Sequence, residues 1–269
     1  MGLKLEKQTE DILDLVKEKS GKGIEFIERE DIGGDARVKI ARERMPKHIV
    51  FYSPKHSELL NHLIAHECGH ILRMSGVPVN KRMIPITNKE TKRKALEQIQ
   101  EEITQLSQRL PEDKLVFFVN YVYEGLIRQL TNYPPDIMIE KWIYDEYPDL
   151  RGYQKRTIEK QRNEIEQVLS EEVGLITPKT IYEASNLMNY AYFRILGFHI
   201  KENFISAFSN TPYLNKGKRL AKITTDDYHN NYEGDVEMID RWAWFLNVEG
   251  WYKWGDFEDT PDNYETSLS

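Results

Sequence analysis

The sequence predicts an α+β fold, in which a helix and a small three-stranded sheet are followed by a mainly helical C-terminal half. Two observations support this class. Three short segments rich in β-branched residues, 24–28, 36–41 and 48–52, are separated by glycine and proline turns. Most of the later chain instead carries apolar residues at the three- and four-residue spacing of helices.

The composition is that of a globular protein of one large domain or two smaller ones. The chain has 269 residues, 40% hydrophobic and 30% charged, with a net charge of −7 and a single cysteine, Cys68. No apolar run approaches membrane-spanning length, and the start lacks the apolar core of a secretory signal. One cysteine excludes an intramolecular disulfide framework. We therefore expect a cytoplasmic protein with no membrane partner, and the negative charge argues against nucleic acid.

One helix dominates the chemistry of the chain. Its sequence contains His66-Glu67-x-x-His70, between a Ser57 N-cap and a stop at Gly76. Residues four apart share a helix face, so both imidazoles can bind one metal ion, with Glu67 beside that ion as a proton acceptor. The pattern arises by chance in about one chain in fifty, and the alternative is an amphipathic helix that happens to carry two histidines. Cys68 faces away from such an ion.

The positions of the other elements are predicted from the periodicity of apolar residues and from the glycine and proline residues that end helices. A helix is predicted at 6–19, a loop at 77–87, a helix at 88–110, and helices on either side of Pro134-Pro135, the second limited by Pro148. Further helices are predicted at 157–173, 178–196 (broken by Gly197), 198–208 and 233–246, with a loop at 213–231 and a frayed tail at 256–269. The predicted domains are 1–150 and a helical accessory region, 151–269, that could also pack as one domain with the first.

A zinc ion needs at least one protein ligand beyond two histidines. His62 shares their face but lies about 12 Å from His70 along the helix axis, so it cannot join both and is expected to pack or line the cleft. Glu140 falls within an apolar stripe, where a carboxylate needs a partner. The alternative makes Glu140 a salt-bridge partner and Asp136 a helix cap. His199 and His229 stay open as ligands.

The order of helix, small sheet and His-Glu-x-x-His helix resembles that of the zincin metallopeptidases. Its compact layout is most similar to gluzincin-type enzymes such as the ImmA/IrrE-type peptidases of bacteria and phages. The likeness in layout covers roughly residues 1–150, and His66-Glu67-x-x-His70 is its specific match. It implies that an edge strand, 48–52 or its neighbour, pairs with an extended substrate. The alternative for 48–52 is an ordinary core strand.

The resemblance also implies a third ligand. Gluzincins use a glutamate from a later helix, here Glu140, with an aspartate four residues after it. That position holds Tyr144 in this chain, and Asp136, four residues before Glu140, could orient a ligand histidine instead.

These observations predict a zinc metallopeptidase that hydrolyses a peptide or protein substrate. Zn²⁺ would be held by His66, His70 and Glu140, and Glu67 would act as general base toward a metal-activated water. The donor to the oxyanion stays open among the side chains Tyr133, Tyr144, His199 and Tyr228. Two alternatives remain: a regulatory peptidase specific for one protein partner, such as a repressor, and a non-catalytic metal-binding interaction protein.

Overall fold

The computed structural model describes residues 3–32 and 34–261, and it confirms the α+β class. The helices are α1 (Lys7–Ser20), α2 (Leu60–Ser75), α3 (Lys89–Gln98), α4 (Gln100–Leu106), α5 (Glu112–Glu146), α6 (Arg151–Val168), α7 (Glu171–Ile176), α8 (Lys179–Ile200), α9 (Leu214–Asp227) and α10 (Tyr232–Leu246). The strands are β1 (Gly23–Glu28), β2 (Ala36–Lys39), β3 (Lys47–Tyr52), β4 (Met83–Ile86) and β5 (Lys253–Asp256). No helix among the described residues is long and apolar enough to cross a membrane.

The three predicted N-terminal strands form one sheet in the order β1-β3-β2. β3 pairs in parallel with β1 and antiparallel with β2. The expectation that residues 48–52 could form the edge strand is wrong, because β3 lies in the middle of the sheet. Its neighbour β2 takes an edge position instead, and β2 is the strand that lies against α2.

The helix α2 carries the His-Glu-x-x-His motif through the centre of the N-terminal half. It ends at Ser75, as predicted, but its start differs. A 3₁₀ turn at Pro54–Leu59 precedes it, and the hydroxyl of Ser53, rather than Ser57, caps that turn. Buried side chains of α2 share a core with α1, the sheet and α5, and this core includes Ile12, Val50, Ile64, Cys68, Ile71 and Ile139.

A single helix, α5, replaces the two helices predicted on either side of Pro134-Pro135. It is 35 residues long and continues through both prolines, although each lacks the N–H of a helical hydrogen bond. Packing of the two prolines, both of which are buried, compensates for the missing hydrogen bonds. The close approach of α5 to α2 depends on Gly69, where an added Cβ would lie 2.5 Å from Cγ2 of Ile139.

The distal half is helical, as predicted, but several boundaries differ. The predicted loop at 213–231 is mostly the helix α9, and α8 runs past Gly197 to Ile200. The predicted helix at 88–110 is divided at Ile99 into α3 and α4. The range 198–208 contains the last residues of α8 and a 3₁₀ turn, Ser206–Phe208, rather than a separate α-helix. The predicted loop at 77–87 contains the unpredicted strand β4.

Residues on both sides of position 150 pack against one another. β4 pairs with β5, and α6 contacts α2 and α5. Of the C-terminal tryptophans, Trp242 and Trp251 are fully buried, whereas Trp244 is 70% exposed. Most of the predicted frayed tail, residues 262–269, lies outside the described residues.

Candidate metal centre

Two rows of side chains face each other where α2 crosses α5. The α2 row consists of His62, His66 and His70, each four residues from the next and therefore stacked on one helix face. The α5 row consists of Asp136 and Glu140, which have the same spacing. Both rows lie in the interior, where ionisable groups are stable only when they are paired, hydrogen-bonded or bound to metal.

Asp136 lies opposite the two histidines of the motif. Its Oδ1 is 3.4 Å from Nε2 of His66 and 3.2 Å from Nε2 of His70. Two ligand atoms bound tetrahedrally to zinc at about 2.0–2.1 Å are about 3.3 Å apart. Both distances from Oδ1 therefore match the separation of two ligands on one zinc ion, and all three ligand atoms lie within 4.8 Å of one another.

The hydrogen bonding of these groups is also incomplete in the way a metal site requires. Nε2 of His70, Oδ1 of Asp136 and Oε2 of Glu67 are buried and have no hydrogen-bond partner. The first two are close to each other but misaligned for a hydrogen bond, as expected when both atoms point at a third position. The residues present therefore fit a zinc ion held by His66, His70 and Asp136.

Glu140 occupies a different position from the one the sequence suggested. Its Oε1 is 2.8 Å from Nδ1 of His66, on the side of the ring opposite Nε2, and its Oε2 is 3.0 Å from Nε2 of His62. Gln154 donates to the same Oε2 at 2.6 Å. Burial acts to raise the pKa of Glu140, but His62 and His66 outweigh it and hold that pKa well below its ordinary value. Glu140 is thus an ionised acceptor of hydrogen bonds.

Potential ligand atoms among the described residues form two groups of three. One joins His66, His70 and Asp136, and the other joins His62, His66 and Glu140. Neither group brings Glu140 together with both motif histidines. A metal ion held by both motif histidines would thus have Asp136, rather than Glu140, within reach as a third protein ligand.

The position of Glu67 suits a proton acceptor. Its side chain is buried and its Oε2 has no hydrogen-bond partner, while the nearby backbone of Val38 in β2 acts to lower the pKa of its carboxyl. Burial is the largest influence on Glu67 and raises the pKa of its carboxyl, against the lowering effect of His70 and His66. Cys68, next in sequence, lies fully buried in the core.

Three of the four candidate oxyanion donors are held elsewhere. The Tyr133 hydroxyl donates to Asn189, and Tyr144 packs against His199, which pairs with the exposed Asp145. His199 is thus absent from both groups of potential ligands.

Tyr228, the fourth candidate, lies on the side of the site formed by α10. Its hydroxyl donates to Asp235 at 2.6 Å, and that carboxylate also accepts a hydrogen bond from Arg73, one turn after His70. Burial raises the pKa of Tyr228, and the carboxylates of Asp235 and Asp136 add to that rise. His229, the residue after Tyr228, is exposed and belongs to neither group of potential ligands.

Sequence reasoning missed two residues of this network, Gln154 and Thr157 of α6. Both are buried polar side chains, and Thr157 lies 3.1 Å from Nδ1 of His62. Nothing in the local sequence marks them, because their partners lie on other helices. His62 did carry a signal: it is four residues before His66 and hence on the face of the two motif histidines.

Comparison with protein-family models, with curated proteins and with solved structures gave no match to this chain. The chemistry of the centre is therefore inferred from its own atoms. Two imidazoles and one carboxylate could hold a metal ion, and a buried glutamate, Glu67, follows one of these imidazoles in the sequence.

Proposed function

We propose that this protein is a zinc-dependent peptidase whose metal ligands are His66, His70 and Asp136. The observation that supports it most is the convergence of Nε2, Nε2 and Oδ1 at separations of 3.2 and 3.4 Å around a common point. The unpartnered Oε2 of Glu67 supports the same proposal. A purely structural metal site has no need of that carboxylate.

Each residue of the centre then has a distinct task. When bound, zinc supplies Lewis acidity, which polarises a scissile carbonyl and lowers the pKa of water at its open position toward about 7. Glu67 accepts the proton of the attacking water on Oε2 and passes it to the leaving amine. Glu140 keeps the proton of His66 on Nδ1, so that Nε2 presents its lone pair to the metal.

The edge strand β2 supplies a place for the substrate backbone. The N–H of Ser53 donates to the carbonyl of Asp35. In this antiparallel pair, the backbone N–H and C=O groups of residues 35, 37 and 39 therefore point toward β3, and those of residues 36 and 38 point away from it. The backbone of Val38 also lowers the pKa of Glu67, which indicates that Glu67 lies close to this edge of the sheet. A peptide added beside β2 in extended form would pass next to the general base. We therefore propose an extended peptide segment as the substrate.

Tyr228 is our candidate for the donor to the oxyanion. A neutral phenol is required for that task, and the surroundings of Tyr228 keep its hydroxyl protonated. The Tyr228 hydroxyl donates its proton to Asp235, which also pairs with Arg73 within one helical turn of His70, so the hydroxyl would turn from Asp235 to donate to an oxyanion.

The Glu67→Gln variant tests the proposal. Purified parent protein should contain zinc at about one ion per chain, measured by mass spectrometry of the metal, and should cleave quenched fluorescent peptides. Glu67→Gln should retain the zinc and lose at least about 10²-fold in kcat, because no base remains. Glu18→Gln, an exposed change on α1, serves as the control and should behave like the parent. Parent protein without stoichiometric zinc, or Glu67→Gln with parental turnover, would refute the proposal.

A further inference from the structure

The two facing rows of side chains form one alternating ladder of imidazoles and carboxylates. The order is His70, Asp136, His66, Glu140, His62 and finally Thr157. Successive contacts along it measure 3.2, 3.4, 2.8, 3.0 and 3.1 Å. The proposed ligands fill only the first half of this ladder, and the second half needs its own explanation.

Proton accounting defines what His62 does. An ionised carboxylate only accepts hydrogen bonds, so His62 must carry a proton on the Nε2 that faces Glu140. At Oε2 of Glu140 it shares the acceptor with Gln154, while His66 alone occupies Oε1. His62 is thus one of three side-chain donors that fix the carboxylate orienting His66.

Burial makes this donor difficult to replace. The side chain of His62 is 1% exposed, that of Glu140 2%, and Thr157 as a whole is 1% exposed. Without His62, an oxygen of a buried anion would keep a single donor, and the carboxylate would lose its fixed orientation. Direct binding of His62 to the same ion as His70 is excluded by their separation of about 12 Å along α2.

We propose that His62 is a positioning residue, which raises zinc affinity by fixing Glu140 and, through it, the ring of His66. This inference rests on the proposed zinc site. Thr157 completes the chain by holding Nδ1 of His62, so α6 contributes to a site whose ligands lie on α2 and α5.

The test compares two polar variants of nearly equal size. His62→Gln places an amide near the position of Nε2 and can still donate to Glu140, whereas His62→Asn reaches only the position of Nδ1. We expect the zinc dissociation constant, measured by competition with a chromophoric chelator, to rise about tenfold or more for His62→Asn. His62→Gln should remain within about twofold of the parent. His48→Asn changes an equally buried histidine outside the centre and is the control.

The possible outcomes separate the two proposals. If the parent binds zinc and His62→Asn binds it equally tightly, the positioning role is overturned and the metal site stands. If His62→Gln weakens binding as much as His62→Asn, the donor to Glu140 is not what matters, and the inference again fails. If the parent itself binds no zinc, the proposed function fails. Circular dichroism of each variant shows whether the chain remains folded.

Discussion

Gly69 lies between the two motif histidines at the point where α2 and α5 approach most closely, which makes the crossing open to a quantitative test. An added Cβ would lie 2.5 Å from Cγ2 and 2.9 Å from Cγ1 of Ile139. Ordinary van der Waals contact begins at 3.4 Å, so Gly69→Ala requires the helices to separate by about 1 Å. The same shift would lengthen the 2.8 Å contact between His66 and Glu140 to about 3.8 Å, beyond hydrogen-bond range.

The expected loss of stability combines two opposing effects. Overpacking costs about 1–3 kcal/mol, and replacing glycine by alanine inside a helix returns about 1 kcal/mol. Gly69→Ala should therefore lower the free energy of unfolding in urea by up to about 2 kcal/mol, and weaken zinc binding about tenfold. Gly125, on α5, has no atom within 4 Å of an added Cβ and is the matched control. Gly125→Ala should be neutral or stabilising.

Ile139 supplies the second half of the test. Ile139→Val retains both colliding γ-carbons and should not relieve the effect of Gly69→Ala, whereas Ile139→Ala removes both. In the Ile139→Ala background, Gly69→Ala should cost nothing, which corresponds to a coupling energy of about 2 kcal/mol between the two positions. The packing argument is refuted if Gly69→Ala stabilises the chain as Gly125→Ala does, or if its cost is the same in both backgrounds.

Two further predictions concern charge. Glu140→Gln removes a partner that orients His66 and should weaken zinc binding about 10–100-fold. Asp136→Asn removes a proposed ligand and should weaken zinc binding by more than that. The opposite order would return Glu140 to the role of third ligand. His48 is buried and accepts the N–H of Ala41 on Nδ1, and burial, with nearby cations, lowers its pKa from 6.5 to about 4. Because the unfolded chain takes up that proton first as pH falls, stability present above pH 6.5 should decline by about 2 kcal/mol between pH 7.5 and 5. His48→Asn keeps an acceptor for Ala41 and should lack this part of the pH dependence in urea titrations; an unchanged dependence would contradict the assignment.

The N-terminal part of the fold was predictable because its signals are local. Alternating and β-branched residues marked the three strands, and Gly76 marked the end of α2. The helix α9 was missed because its segment is polar and few of its residues are buried. Its position depends on contact with α8, where Gly217 packs directly on the ring of Tyr190. Contacts between distant segments of this kind leave little trace in a local pattern.

The roles of Asp136 and Glu140 were beyond the sequence for a related reason. Both lie on one face of α5, about 6 Å apart along its axis. Which of them meets Nε2 of His66 and His70 depends on how far α5 is displaced along α2. That displacement depends on the contact between Gly69 and Ile139, and neither residue is among the three that the motif specifies.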